Sequence, residues 1–185
     1  MYFSKQQLLA FGFDEIGERV KVSEKASIYS ASGRIGDDTR IDDFTILKGR
    51  VEIGRKVHIC SHCSLSAVGG EIVIDDLCGI GVGNIFYTAS DDMLKSGLCG
   101  PLVDPAHVYT KTGTIKLARG VALGGRVTVF PGVRIGEFTA VGVSSTVIND
   151  LEGGCLYVTV SNKLRKVAKR DVSALTAMAE QELSG

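Results

Sequence analysis

Between Leu117 and Ile148 an aliphatic residue stands at every sixth position: Leu117, Leu123, Val129, Ile135, Val141 and Val147. Four residues after each of the first five comes a small or β-branched one: Val121, Val127, Val133, Thr139 and Ser145. Glycine directly follows the aliphatic at Gly124, Gly136 and Gly142. A helical period of 3.6 would carry these aliphatics right round the cylinder, so the stretch is not a helix. Plain strand alternation does not ask for a unit of six. An aliphatic, a turn former and a small residue in each unit predict a flat strand and then a corner. That is the pattern of a hexapeptide β-helix.

The same period runs earlier through Val22, Ile28, Ile35, Ile41, Leu47, Ile53, Ile59 and Leu65, with one extra residue near Gly33-Arg34. It loses phase at Gly69-Gly70-Glu71 and returns at Ile74, Ile80 and Phe86. Residues 88–114 have no period and contain Asp91, Asp92, Pro101, Pro105 and His107. So long an aperiodic insertion in a compact repeat marks a functional or disordered segment. Before the coils, Ser4 and Gln7 have capping-box spacing ahead of Leu8, Leu9 and Phe11, and Gly12 follows. This predicts a short helix covering the open first coil. After the coils come a turn (residues 149–154), a β-prone run (155–160), and apolar residues at helical spacing from Leu164 to Leu183. They predict a C-terminal helix over about residues 162–183, basic in its first half at Lys163, Arg165, Lys166, Lys169 and Arg170.

The chain thus reads as a single all-β domain. It divides into a cap (1–21), coils (22–87 and 115–148), an inserted loop (88–114), and a C-terminal turn and helix (149–185). Charge is balanced, 21 basic against 21 acidic residues, which speaks against a nucleic-acid partner or a polybasic membrane anchor. No apolar run is long enough for membrane insertion. Five cysteines with no signal peptide before them predict a cytoplasmic protein with reduced thiols. His58-x-Cys60-x-His62-Cys63 lacks the spacing of a structural zinc site, and Cys63 falls at the small inward position of its unit. No metal is expected.

The segments RIDDFTIL (Arg40 to Leu47), VHICSHCSL (Val57 to Leu65), YTASDD (Tyr87 to Asp92) and VFPGVRIGEFTAVGVSSTVI (Val129 to Ile148) resemble the left-handed parallel β-helix acyltransferases. Within that family the chain is similar to the maltose, galactoside and surface-polysaccharide sugar O-acetyltransferases. The resemblance implies a homotrimer with sites between subunits, acetyl-CoA as donor, and a sugar or nucleotide-sugar acceptor. It implies a loop histidine as base, but the matching position here is Asp91. His62 then becomes the first candidate for the base, with Asp91 and Asp92 next, since an imidazole titrates near working pH.

For the donor, the resemblance points to Gly124 and Gly125 along the pantetheine arm, with Ser144 and Ser145 one coil later on the same edge. Lys163, Arg165 and Arg126 are the candidates for the CoA phosphates. The expected activity is acetyl transfer to a sugar hydroxyl or amine. Two alternatives stand beside it: an N-acyltransferase acting on a nucleotide-linked amino sugar, whose amine would explain the missing histidine, and an inactive hexapeptide scaffold.

Overall fold

The computed structural model describes residues 1–95 and 97–184. Its register shows three hexapeptide units per coil, one for each face of a three-sided prism. The first face stacks Ile16, Ile35, Ile53, Ile74, Leu117 and Ile135, with Leu151 bridged to Ile135 at the end. The second stacks Val22, Ile41, Ile59, Ile80, Leu123, Val141 and Tyr157. The third stacks Ile28, Leu47, Leu65, Phe86, Val129 and Val147. All these pairings are parallel, and nearly every ladder residue is fully buried. Parallel pairing starts at Glu15–Ile16, six residues before the first aliphatic that the periodicity picks out.

The small residues between ladders turn inward at the corners, and the polar ones satisfy corner carbonyls. Thr39 Oγ1 donates to the Gly54 carbonyl at 2.8 Å, and Thr139 Oγ1 to that of Glu152 at 2.9 Å. Cys63 and Cys78 sit in the same role, donating to the Gly81 and Ala118 carbonyls. Burial pushes their thiols up to about 11 and about 12, so both are inert core groups, as their spacing predicts.

The three edges of the prism differ. On the first, each coil turns through a residue with positive φ: Arg19, Asp38, Lys56, Leu77, Gly120, Phe138 and Gly154. On the second the matching residues are Phe44, His62, Gly83, Arg126 and Ser144. The third edge collects every lengthening of the repeat. Seven positions separate Ile28 from Ile35, nine separate Leu65 from Ile74, and thirty-one separate Phe86 from Leu117. Between Leu47 and Ile53 a single strand, Ile46–Ile53, runs unbroken round this edge, where Gly49 has φ +77° and a Cβ would lie 2.1 Å from the Ala67 carbonyl oxygen.

The N-terminal helix α1 (Lys5–Ala10) has the full capping box of Ser4 and Gln7, and its Leu8 is buried over the first coil. The C-terminus differs from its periodicity. Cys155–Val160 and Lys163–Lys169 form an antiparallel hairpin, and only Val172–Ser184 is helical (α2). Ser161 and Asn162 both have positive φ, which is the two-residue turn that suits a hairpin's twist, and it overrides the helical spacing downstream. Lys163 and Arg165 therefore lie on a strand. Helix α2 lies back along the first edge, where Lys56 Nζ meets the Glu182 carboxylate at 2.9 Å.

Candidate active site

The second edge carries most of the candidate residues in a line. Each corner residue follows its ladder aliphatic by three positions, so parallel register stacks His62, Gly83, Arg126 and Ser144 in successive coils. The hairpin continues this line: Tyr157 pairs with Val141, and the Ser161-Asn162 tip leaves the prism one coil beyond Ser144. His62 (φ +61°) packs its ring 5.0 Å from that of Phe44. Among the described residues no hydrogen bond reaches its imidazole. Arg126, Lys163 and Arg165 are exposed, and none has an ion pair among the described residues. Three free cations along one edge suit a polyphosphate.

Two of the proposed donor contacts have structural explanations. A Cβ on Gly124 would come 2.8 Å from the Val143 nitrogen, so coil stacking alone demands glycine there. Ser145 faces inward, 1% exposed, and its hydroxyl accepts from Thr159 Oγ1 at 3.0 Å. It occupies the small-residue position of the corner and offers nothing to a ligand at the surface. Ser144 beside it is exposed. The Gly125 N–H is not used in the coil-to-coil bonding among the described residues, which leaves a donor on the edge.

Asp91 and Asp92 stand on the third edge, where the loop emerges. The loop is more ordered than its lack of period implies. Ala89–Asp91 pairs antiparallel with Thr110–Thr112, and Pro105–His107 forms a 3₁₀ turn capped by Asp104. The Asp91 carboxylate accepts from the Gly100 N–H at 2.9 Å and from Thr110 Oγ1 at 3.1 Å. Asp92 accepts from the Leu94 N–H at 3.1 Å and meets Lys111 Nζ at 3.2 Å. The backbone bond from Leu94 and the nearby Lys111 hold its carboxyl below the usual range. Both acids thus fasten the loop as hydrogen-bond acceptors. They line a cleft with Lys111, Ile148 and the tilted aromatic pair Tyr87–Phe130, whose centroids are 5.0 Å apart. His107 lines a different depression, with Tyr109.

Within one chain, then, His62 and the loop acids lie on different edges. The sequence reading missed Tyr87, Phe130 and Ile148, which the spacing marks only as ladder neighbours. It also missed the partner of the second histidine: His58 Nε2 lies 2.9 Å from Asp42 Oδ2.

No family model matches the chain. A curated relative from Escherichia coli, dTDP-4-amino-4,6-dideoxy-D-glucose acyltransferase, is 30% identical over 166 residues, covering 88% of this chain and 86% of the relative. The chain belongs to the hexapeptide-repeat acyltransferases. Among solved structures, the N-acyltransferase AntD from Bacillus cereus, in complex with dTDP and coenzyme A, superposes with a TM-score of 0.90 at 33% identity, covering 100% of this chain and 99% of AntD. Other AntD structures hold 3-hydroxybutyryl-CoA or dTDP-4-amino-4,6-dideoxyglucose. The Vibrio cholerae hexapeptide-repeat acetyltransferase VCA0836, complexed with acetyl-CoA, shares the fold at a TM-score of 0.58 and 21% identity, over 89% of this chain and 75% of its own. This acyltransferase uses an acyl-CoA donor, and the parallel β-helix inferred from its six-residue period is the family's fold. No helix among the described residues is long and apolar enough to cross a membrane.

Proposed function

We propose that this acyltransferase moves an acetyl group from acetyl-CoA to the amine of a dTDP-linked amino sugar, in the cytoplasm, for a surface polysaccharide. The observation that carries the choice of amine over hydroxyl is the chemistry of the loop cleft. It holds the carboxylates of Asp91 and Asp92, and the Leu94 N–H and Lys111 keep that of Asp92 below its usual range. A carboxylate held below its usual range is a poor base for a sugar hydroxyl but a good acceptor for an N–H. The Tyr87–Phe130 pair beside it offers aromatic surface to the acceptor. Similarity to AntD over the full chain supports the same acceptor class.

In this reading the neutral amine attacks the thioester carbonyl, and a tetrahedral oxyanion forms. The carbon–sulfur bond then breaks. The amide keeps one of the nitrogen's protons, and another passes to the departing sulfur, giving coenzyme A as a thiol. Asp92 orients the amine, and Asp91 keeps the loop in shape. Arg126, Lys163 and Arg165 hold the phosphates of CoA, the Gly125 N–H and Ser144 lie along its arm, and His62 assists proton removal.

The site needs both edges at once, and a homotrimer would supply them, with the second edge of one protomer set against the loop of the next. Its support is an unpartnered apolar strip along the second edge and third face: Phe44, Ile46, Val82, Ile85 and Val143 are all exposed in the single chain.

The test is CoA release from acetyl-CoA with dTDP-4-amino-4,6-dideoxyglucose, beside the matching 4-hydroxy sugar nucleotide. Turnover with the amine alone is expected. Turnover with the hydroxyl sugar alone would sink the amine reading, and light scattering that finds a monomer would sink the shared site.

A further inference from the structure

At the start of the second edge, below the proposed donor groove, three side chains from two coils converge. Parallel register sets Arg40 against His58 and Ile41 against Ile59, so Asp42 falls beside Cys60. Asp42 Oδ2 lies 2.9 Å from His58 Nε2, and Cys60 Sγ lies 4.0 Å from the same nitrogen. The three ligand atoms all lie within 4.8 Å of one another. A tetrahedral zinc ion with bonds of about 2.0–2.3 Å to N, O and S separates its ligand atoms by about 3.5 Å. The two measured separations bracket that edge. Arg40 Nε donates to the other carboxylate oxygen, Oδ1, at 2.6 Å, which fixes the Asp42 carboxylate with Oδ2 toward His58. Asp42 and Cys60 are half-buried and His58 is exposed, so the cluster is open on one side.

We propose that Asp42, His58 and Cys60 form a three-ligand site for a borderline-soft divalent cation, zinc above all, with the fourth position open to water. Thiolate, imidazole and carboxylate suit zinc better than the hard cations, which take oxygen alone. A thiolate and a carboxylate also balance the charge of a dication, and the Arg40 guanidinium tempers the affinity. The site adjoins His62, since Arg40 and Asp42 share a depression with it, and its two-coil origin explains why the His-x-Cys-x-His-Cys spacing gives no sign of it. Bound cation would staple one coil to the next and stabilise the folded chain by mass action.

The test is cobalt(II) titration of the full chain after chelator treatment, followed by zinc. The expected result is a single cobalt per chain with tetrahedral visible bands and a thiolate-to-metal charge-transfer band, bleached by stoichiometric zinc. Cys60→Ser should lose the charge-transfer band. Asp42→Asn and His58→Ala should each weaken cobalt binding at least about tenfold, with the metal-free proteins melting near the wild type. Absence of a thiolate band at stoichiometric cobalt would overturn the site. So would a band that survives Cys60→Ser, which would assign the thiol elsewhere, for instance to the exposed Cys99.

Discussion

The first and second edges of the prism share one backbone and finish it in opposite ways. From Arg19 on the first and Phe44 on the second, both turn their coils through a residue with positive φ, such as Asp38 at 56° and His62 at 61°. On the first edge charge is closed on itself. Arg19 grips both oxygens of Asp38 at 2.6 and 2.7 Å, Arg55 those of Asp76 through its backbone N–H and its guanidinium, and Arg119 pairs with Glu137. Helix α2 adds the Lys56–Glu182 pair. Among the described residues the second edge is paired only at its start, through Lys25 with Asp43 and through Asp42 with Arg40 and His58. From His62 onward its corner residues, and Lys163 and Arg165 near the hairpin tip, carry no ion pair among the described residues. Turn geometry decides where the chain bends, and it does so identically on both edges. Side-chain pairing decides which edge is finished surface and which is left for a ligand.

Removing the unpaired cations together should give the largest effect. Arg126→Ala with Lys163→Ala and Arg165→Ala should raise the KM for acetyl-CoA by about a hundredfold, near 1.4 kcal/mol for each factor of ten. The melting temperature should stay put, because none of the three closes an ion pair. An unchanged KM would erase the distinction between the edges.

His62→Gly separates chemistry from fold. Gly83 already occupies the same corner one coil later, and glycine relieves the positive-φ strain of about 1 kcal/mol that a Cβ carries there. Stability should hold or rise, while kcat falls about tenfold or more if the imidazole assists proton transfer. If kcat is unmoved, the amine reacts without it. Asp92→Asn should lower kcat/KM for the amino sugar about tenfold with the KM for acetyl-CoA unchanged. Equal losses for both substrates would reduce Asp92 to a loop fastener.

The smallest effect belongs to the first edge. Its Arg19 hydrogen bond holds the Asp38 carboxyl below the usual range in the folded chain. A depressed pKa stabilises the fold above the unfolded value and loses that contribution as pH falls through the folded one. The melting temperature should therefore drop below about pH 4, and drop less steeply in Asp38→Asn. Turnover at neutral pH should match the wild type, since the pair lies away from the site.

Little of the site was legible without register. The resemblance picks out Lys163, Arg165 and Arg126, but only stacking shows that they share one edge with His62 and Ser144. Ser145 looks like the twin of Ser144, yet the corner turns one outward and the other in. The helical spacing after Leu164 loses to a turn at Ser161-Asn162 whose left-handed pair the periodicity does not weigh. Asp91 and Asp92 could be read as loop acids. Their fastening partners, Gly100, Thr110, Leu94 and Lys111, come from the loop's own fold.

The coil itself follows from the chain's burial pattern, because a period of six admits no helix or flat sheet, and each aliphatic has one face to occupy. So does the place where the coil opens, since the period fails between Phe86 and Leu117. Which residues become neighbours is a different matter, written nowhere in the local sequence. Parallel stacking joins side chains a whole coil apart, so that Asp42 meets His58, Arg126 follows Gly83, and all the insertions gather on one edge. Such contacts depend on the register between coils, and that is fixed by the packing of the entire ladder.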